Sequence, residues 1–313
     1  MTSIKLFHLD FYYFLFFHYV YYPFIFLLVR LLLLKSNLFP SKTHWPQPIL
    51  HTLPYSHYCE KVRWALDLQN EIYLERPHGL MTYAPFSLYY TQAKYRKVPI
   101  LVLEDNITIT GSTDILLYFY EKYPDQYKWL YPNPEVKEIE RYLDVQLGEP
   151  VMGLIYAIFF NRQNTHTLSC WRSNLERNIP DWESLMFNVI ARDFRFVIES
   201  NQGPFHSDIK IFLDTLEEVF SHINKLLEER TYLANTSHIT AADITFASLS
   251  LPLLCPEKME DLYIKSSDFP RDFQKIIEKF RQTKAGQFAL KLYENERTRG
   301  NQVQIKKLTS LNA

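Results

Sequence analysis

Ser56 and Cys59 stand in the stretch PYSHYCEKVRWAL, where a short apolar strand gives way to an amphipathic helix. A serine just before a helix can cap unpaired backbone N–H groups, and the helix N-terminus favours negative charge there. A thiolate brought to that spot would be stabilised. Cys59 falls on the apolar side of the same helix and reads as core rather than as a nucleophile. Further on, Lys97, Val98 and Pro99 lead into an apolar run. Gly111-Ser112-Thr113-Asp114 then opens a second helix with an acid in its first turn. Taken alone, Ser112 is another cap.

Placing these residues requires a definite order of elements. Residues 49–53 read as a strand ended by Pro54. Residues 57–69 read as a helix with Cys59, Val62, Ala65, Leu66 and Leu68 facing in and Glu60, Lys61, Arg63 and Asp67 facing out. A second strand is expected over 72–74, followed by a long irregular loop over 75–95. Residues 98–103 and 107–110 form a hairpin through Glu104-Asp105-Asn106. The helix that begins at Ser112 runs to about Tyr123 and buries Ile115, Leu116 and Phe119. Strand–helix–strand followed by hairpin–helix is the order of a thioredoxin-like α/β module.

From Pro134 the pattern is helical. One long helix is expected over 135–160, with others over 182–199 and 208–229. Residues 161–180 have no clear period, and His166 and Cys170 within them receive no role. Thr240 and Asp243 have capping-box spacing, with Ile239 and Ile244 at staple spacing, and so start a buried helix.

Composition narrows the function classes. The 34 Lys and Arg balance 35 Asp and Glu, so no basic field points to nucleic acid. With 7 Gly and neither GxGxxG nor GxxxxGK, a phosphate-binding loop is disfavoured. The 3 Cys are widely spaced without a CxxC, which excludes a disulfide scaffold, fits a reducing compartment and gives no metal-ligand spacing. Phe11 to Val29 is an uncharged, largely aromatic run, and Leu31 to Leu34 extend it past Arg30. That is close to the roughly 20 apolar residues that one tilted membrane span needs. The flanking Lys5, Arg30, Lys35 and Lys42 would put the body of the protein in the cytoplasm. Two readings stay open: a single-pass anchor through residues 11–34, or an over-extended gene start before a soluble cytoplasmic protein.

Ser56-His57-Tyr58-Cys59 continued by Glu60-Lys61-Val62-Arg63, with Val98-Pro99 and Ser112-Thr113-Asp114, resembles the glutathione-binding half of the soluble glutathione S-transferases. The resemblance implies a thioredoxin-like domain over 48–125 and an all-helical substrate and dimer domain over 126–300. Residues 1–47 would be the apolar segment and linker, and 301–313 a tail. It implies glutathione as co-substrate, with Ser56 stabilising its thiolate. A cis Pro99 would present the Val98 backbone to the tripeptide, Lys97 would lie beside it, and Ser112, Thr113 and Asp114 would hold its γ-glutamyl end. The electrophile would lie against Tyr156, Phe159 and Phe160, and a homodimer is expected. Thr240 and Asp243 match the family's capping element and would serve folding. Two departures stand out: Gly111 replaces a usual Glu or Gln, and His57 a frequent Pro. Alternative readings are a non-enzymatic binding or scaffold protein, and a membrane-associated prostaglandin E synthase-like or thiol-reductase activity. The latter is weakened because Ser56 stands where those enzymes carry the first Cys of a CxxC.

Overall fold

Strand β1 (Ile49–Thr52) lies at the centre of the sheet. It pairs in parallel with β2 (Leu74–Pro77) and antiparallel with β3 (Ile100–Val102), which pairs antiparallel with β4 (Thr108–Thr110). A short strand β5 (Val303–Gln304) adds in parallel outside β2, giving the order β4-β3-β1-β2-β5. The computed structural model describes residues 24, 47–80, 82–103, 107–159, 161, 164–184, 209–298 and 303–304. The apolar run at 11–34 (Phe24 apart), the hairpin tip at 104–106, Phe160 and residues 185–208 lie outside them. Among the described residues no helix is long and apolar enough to cross a membrane.

Helices α1 (His57–Leu68), α2 (Tyr83–Tyr90) and α3 (Ser112–Lys122) complete a thioredoxin-like α/β domain, followed by the short α4 (Pro124–Tyr127). Two of these elements differ from the sequence expectation. The second strand begins at Leu74 instead of ending there, and α2 occupies the stretch read as an irregular loop. Its sequence YAPFSLYY has no helical period and carries Pro85, but a proline in the first turn costs a helix little. Tertiary burial of Ala84, Phe86 and Ser87 decides the conformation.

The remainder is helical. The expected long helix is three pieces: α5 (Pro134–Leu143), a π-helical turn Asp144–Gly148, and α6 (Glu149–Phe159). Asn133 caps α5 by accepting from Val136 N–H at 3.3 Å. The segment without a clear period contains α7 (Thr165–Arg177). Helices α8 (Ile209–Leu226), α9 (Ala241–Leu254), α10 (Arg271–Arg281) and α11 (Lys284–Asn295) follow. All of α9 is buried, packed against α1, α5 and α11. At its start the Thr240 backbone N–H and hydroxyl both donate to Asp243 Oδ2, at 2.8 and 2.7 Å, while Leu233 N–H donates to Oδ1 at 2.8 Å.

Helix α1 is the largest departure. Glu60, Lys61, Arg63 and Asp67 do not face out; all four are buried. With α9 on one side and the sheet on the other, no face of α1 is left for solvent, so its charges are paired. Arg63 bonds Glu75 Oε1 on β2 (2.7 Å) and Glu60 Oε2 (3.1 Å), and its second terminal nitrogen donates to the carbonyls of Leu53 and Pro54 at 3.0 and 3.2 Å. Arg297, just past α11, bonds Glu60 Oε1 at 2.6 Å and Asp67 Oδ2 at 2.7 Å. Burial opposes ionisation of Glu60, but the Arg297 and Arg63 guanidiniums outweigh it and hold the carboxyl below its ordinary value.

Removing one partner from a buried pair strands the other charge, at about 3–5 kcal/mol. Arg297→Ala is therefore expected to lower the urea-unfolding free energy by about that amount. A change inside the ordinary surface range of about 0.5 kcal/mol would show that the network carries little of the stability.

Candidate active site

A cleft of about 890 Å³ lies between the sheet domain and α6, lined by residues from both. Ser56 is buried at its inner end as the N-cap of α1, with its Oγ accepting the Cys59 N–H at 3.3 Å. The Ser56 hydroxyl also lies within hydrogen-bond reach of the Cys59 sulfur, whose pKa it pulls down against the larger effect of burial. The loop that delivers Ser56 is fixed by the Leu53 carbonyl, which accepts both the Ser56 N–H (3.1 Å) and Arg63. Cys59 is fully buried one turn on, and burial pushes its thiol up to about 11. It is therefore protonated at neutral pH and walled off from the cleft.

Lys97, Val98 and Pro99 all line the cleft, and the Val98–Pro99 peptide is cis. Lys97 is exposed on the rim, and its carbonyl accepts the Ser87 hydroxyl at 3.0 Å. Ser112 and Asp114, in the first turn of α3, also line the cleft; Ser112 is buried and Asp114 exposed. Gly111 caps α3 with φ +89°, a conformation that L side chains rarely adopt. The glycine that reads in sequence as a lost polar contact is what this turn accepts without strain.

Thr113 lines the cleft too, but its hydroxyl is committed elsewhere. It lies 2.7 Å from Asp144 Oδ2 and accepts from Lys61 Nζ at 2.8 Å. Lys61 also pairs with Glu140 at 2.9 Å and Asp144 at 3.1 Å. Thr113 thus joins α1, α3 and α5.

The π-turn completes the junction. Its geometry turns two carbonyls toward α1: Asp144 accepts the Tyr58 hydroxyl at 3.0 Å, and Gly148 accepts His57 Nε2 at 3.1 Å. A Cβ on Gly148 would overlap the Tyr58 ring, so the absence of a side chain sets how closely α6 approaches α1. Burial lowers the His57 pKa from 6.5 to about 4, which keeps the ring neutral with Nε2–H as donor.

Tyr156 and Phe159 are buried on the apolar side of the cleft. Phe159 also packs on Trp171 (5.1 Å) and Phe269 (5.8 Å). Phe160, expected beside them, lies outside the described residues. Sequence reasoning passed over Tyr55. It is buried beside Ser56 and stacks edge-on against Trp171 at 4.9 Å, and among the described residues its hydroxyl has no hydrogen-bond partner. Its position next to the capping serine was the available signal. Met152, Phe212 and Tyr263 extend the same wall.

Residues 50–127 match the sequence family described as "Glutathione S-transferase, N-terminal domain". The match places a glutathione S-transferase N-terminal domain over these residues, about a quarter of the chain. Among solved structures it is similar to a glutathione S-transferase of Ceriporiopsis subvermispora crystallised with glutathione, at 14% identity and TM-score 0.53, covering 82% of this chain and 99% of that one. Two glutathione transferases of Phanerochaete chrysosporium are similar as well. One shares 12% identity at TM-score 0.53 over 80% of this chain and 98% of its own. The other shares 14% at TM-score 0.52 over 81% and 99%. At such identities the likeness is one of fold. No curated protein matches the chain.

His57 makes stability depend on pH. Its folded pKa of about 4 lies below the ordinary 6.5, so the unfolded chain takes up the proton first. The stability it contributes is complete above pH 6.5 and is lost as pH falls toward 4. The shift corresponds to about 3 kcal/mol. His57→Gln, which keeps a donor for Gly148, is expected to flatten the slope of unfolding free energy between pH 6.5 and 4; an unchanged slope would assign it to other groups.

Proposed function

We propose that the protein is a glutathione transferase that activates the glutathione thiol at Ser56 and directs it onto an apolar electrophile. The observation that carries this reading is the convergence, on one cleft, of Ser56 at the N-terminus of α1, the cis Val98–Pro99 peptide, and Ser112 with Asp114 at the N-terminus of α3. These come from three separate stretches of chain and face an apolar wall on α6.

A free thiol titrates near 8.5 and is mostly protonated at neutral pH. Ser56 would turn its hydroxyl hydrogen toward the glutathione sulfur, and the α1 N-terminus would add favourable potential, so the thiol proton leaves to solvent. Val98 would pair with the tripeptide through its backbone. Ser112 and Asp114, with the Thr113 backbone, would hold the γ-glutamyl amine and carboxylate, and Lys97 would neutralise charge at the rim. The thiolate sulfur then forms a bond to the electrophilic carbon. The displaced electron pair departs with a leaving group, or goes to an adjacent atom that is protonated by water. The unpaired Tyr55 hydroxyl offers a hydrogen bond to an oxygen on that electrophile. Dithiol chemistry is not supported, because Ser56 occupies the position of a first cysteine and Cys59 is held protonated.

Gly111 favours one second reading, a fold member that binds without turnover, because one polar side chain is missing at the γ-glutamyl end. Membrane attachment through residues 11–34 and a homodimer belong to the same proposal; salt against detergent extraction of the full chain separates anchored from soluble protein.

Calorimetric titration is expected to give saturable glutathione binding that Ser112→Ala weakens; no binding by a folded sample would sink the transferase reading and leave a scaffold that does not use glutathione. Ser56→Ala should raise the bound-thiol pKa toward about 8.5, followed by thiolate absorbance, and lower turnover by about 100-fold. Binding retained with no turnover across an electrophile panel would select the second reading. Tyr55→Phe is expected to slow reaction with carbonyl-bearing acceptors selectively and to spare alkyl halides; equal effects on both would remove its role.

A further inference from the structure

On the outer side of α7, away from the catalytic serine, His166, Cys170 and Asp268 each offer a ligand atom within 4.8 Å of the others. We propose that these three side chains bind a zinc(II) ion, which clamps α7 to the 3-10 turn Ser266–Asp268. Sequence spacing concealed the site, because only His166 and Cys170 are near neighbours and Asp268 comes from a distant segment.

Three observations carry the inference. The donor set is a thiol, an imidazole and a carboxylate, the mixture that selects zinc among abundant divalent ions. His166 and Cys170 stand one turn apart on α7, with Cys170 Sγ 3.6 Å from His166 Nε2. Tetrahedral zinc with bonds of about 2.3 Å to sulfur and 2.0–2.1 Å to nitrogen places those two atoms about 3.6 Å apart. The pair is therefore spaced for a shared ion, at a distance that also suits a sulfur hydrogen bond in the metal-free chain. The two contributing segments are also held in register without metal: Thr167 donates its hydroxyl to the Asp268 carbonyl at 2.8 Å, and Asn174 donates to the Tyr263 carbonyl at 2.9 Å. Asp268 Oδ2 accepts the Lys265 N–H at 3.2 Å, which fixes the carboxylate and leaves Oδ1 for a cation.

Three protein ligands leave the fourth position to water. Cys170 and Asp268 are half-buried and His166 is exposed, so an ion can enter from solvent. A filled site would stiffen one wall of the cleft, since Trp171 beside Cys170 packs on Tyr55 and Phe269 beside Asp268 packs on Phe159. The proposal does not depend on the glutathione reading.

The test is titration of the full, reduced chain with zinc chloride against a chromophoric zinc indicator, and with cobalt(II) followed by thiolate charge-transfer absorbance. One ion per chain is expected. Cys170→Ser should abolish the charge-transfer band, and His166→Ala and Asp268→Asn should each weaken zinc binding by at least about 10-fold. Because Cys59 and Cys255 are buried, Cys170 should be the thiol that reacts readily with an aromatic disulfide reagent, and zinc should protect it. Zinc should also raise the melting temperature of the parent chain and not that of Cys170→Ser. No binding by the parent chain, or zinc binding unchanged in the three variants, would overturn the proposal.

Discussion

Arg63 is the interaction on which the site depends. Its guanidinium is buried in the middle of the sheet domain, where a lone charge would be strongly destabilising. It is matched by Glu75 on the neighbouring strand, Glu60 one turn back, and the two carbonyls that lead the chain into Ser56. Thr52 on β1 donates to the same Glu75 oxygen at 2.7 Å, so strand, loop and helix share one bonded cluster. Glu60 passes the connection to Arg297, and Arg297 to Asp67. A buried chain of this kind is stable only when every member is satisfied. That condition leaves the approach to Ser56 one permitted path.

The second constraint is the seam between the two halves. Close approach of α6 to α1 at Gly148, the two π-turn carbonyls that receive Tyr58 and His57, and the Lys61 cluster with Glu140 and Asp144 all lie at one edge of the cleft. Glu183 makes a further tie, accepting the Gly79 N–H at 2.6 Å and pairing with His78 at 3.3 Å. The cleft keeps its width because polar contacts, and not only apolar packing, fix the separation of its walls.

Much of this architecture was legible in the sequence. Apolar runs and turn residues marked β1, β3 and β4, and Ser56 and Thr240 marked helix starts, because capping is a local interaction; Ser112, read as a cap, is instead the first residue of α3, whose cap is Gly111. What could not be read was long-range. A periodicity argument assigns Glu60, Lys61, Arg63 and Asp67 to solvent, since nothing near them in sequence announces Glu75, Glu140, Asp144 or Arg297 as partners. The π-turn is invisible for a related reason: DVQLG suits an ordinary helix, and the extra residue is stabilised by donors from α1. Helices α2 and α7 lack strong amphipathic patterns and are settled by what packs on them. Tyr55 was missed because its place beside Ser56 was the one hint in sequence, and the want of a partner for its hydroxyl among the described residues shows only in three dimensions.

The tie between Arg297 and α1 bears on the order in which the molecule can be made. Glu60 and Asp67 leave the ribosome long before Arg297 does, so until then Glu60 has only Arg63 beside it and Asp67 lacks the cation that balances it. A nascent sheet domain can collapse and form its strands, but it cannot bury α1 at full strength until almost all of the helical half has emerged. The two halves are thereby made into one cooperative folding unit, with its closing step assigned to a residue near the far end of the chain.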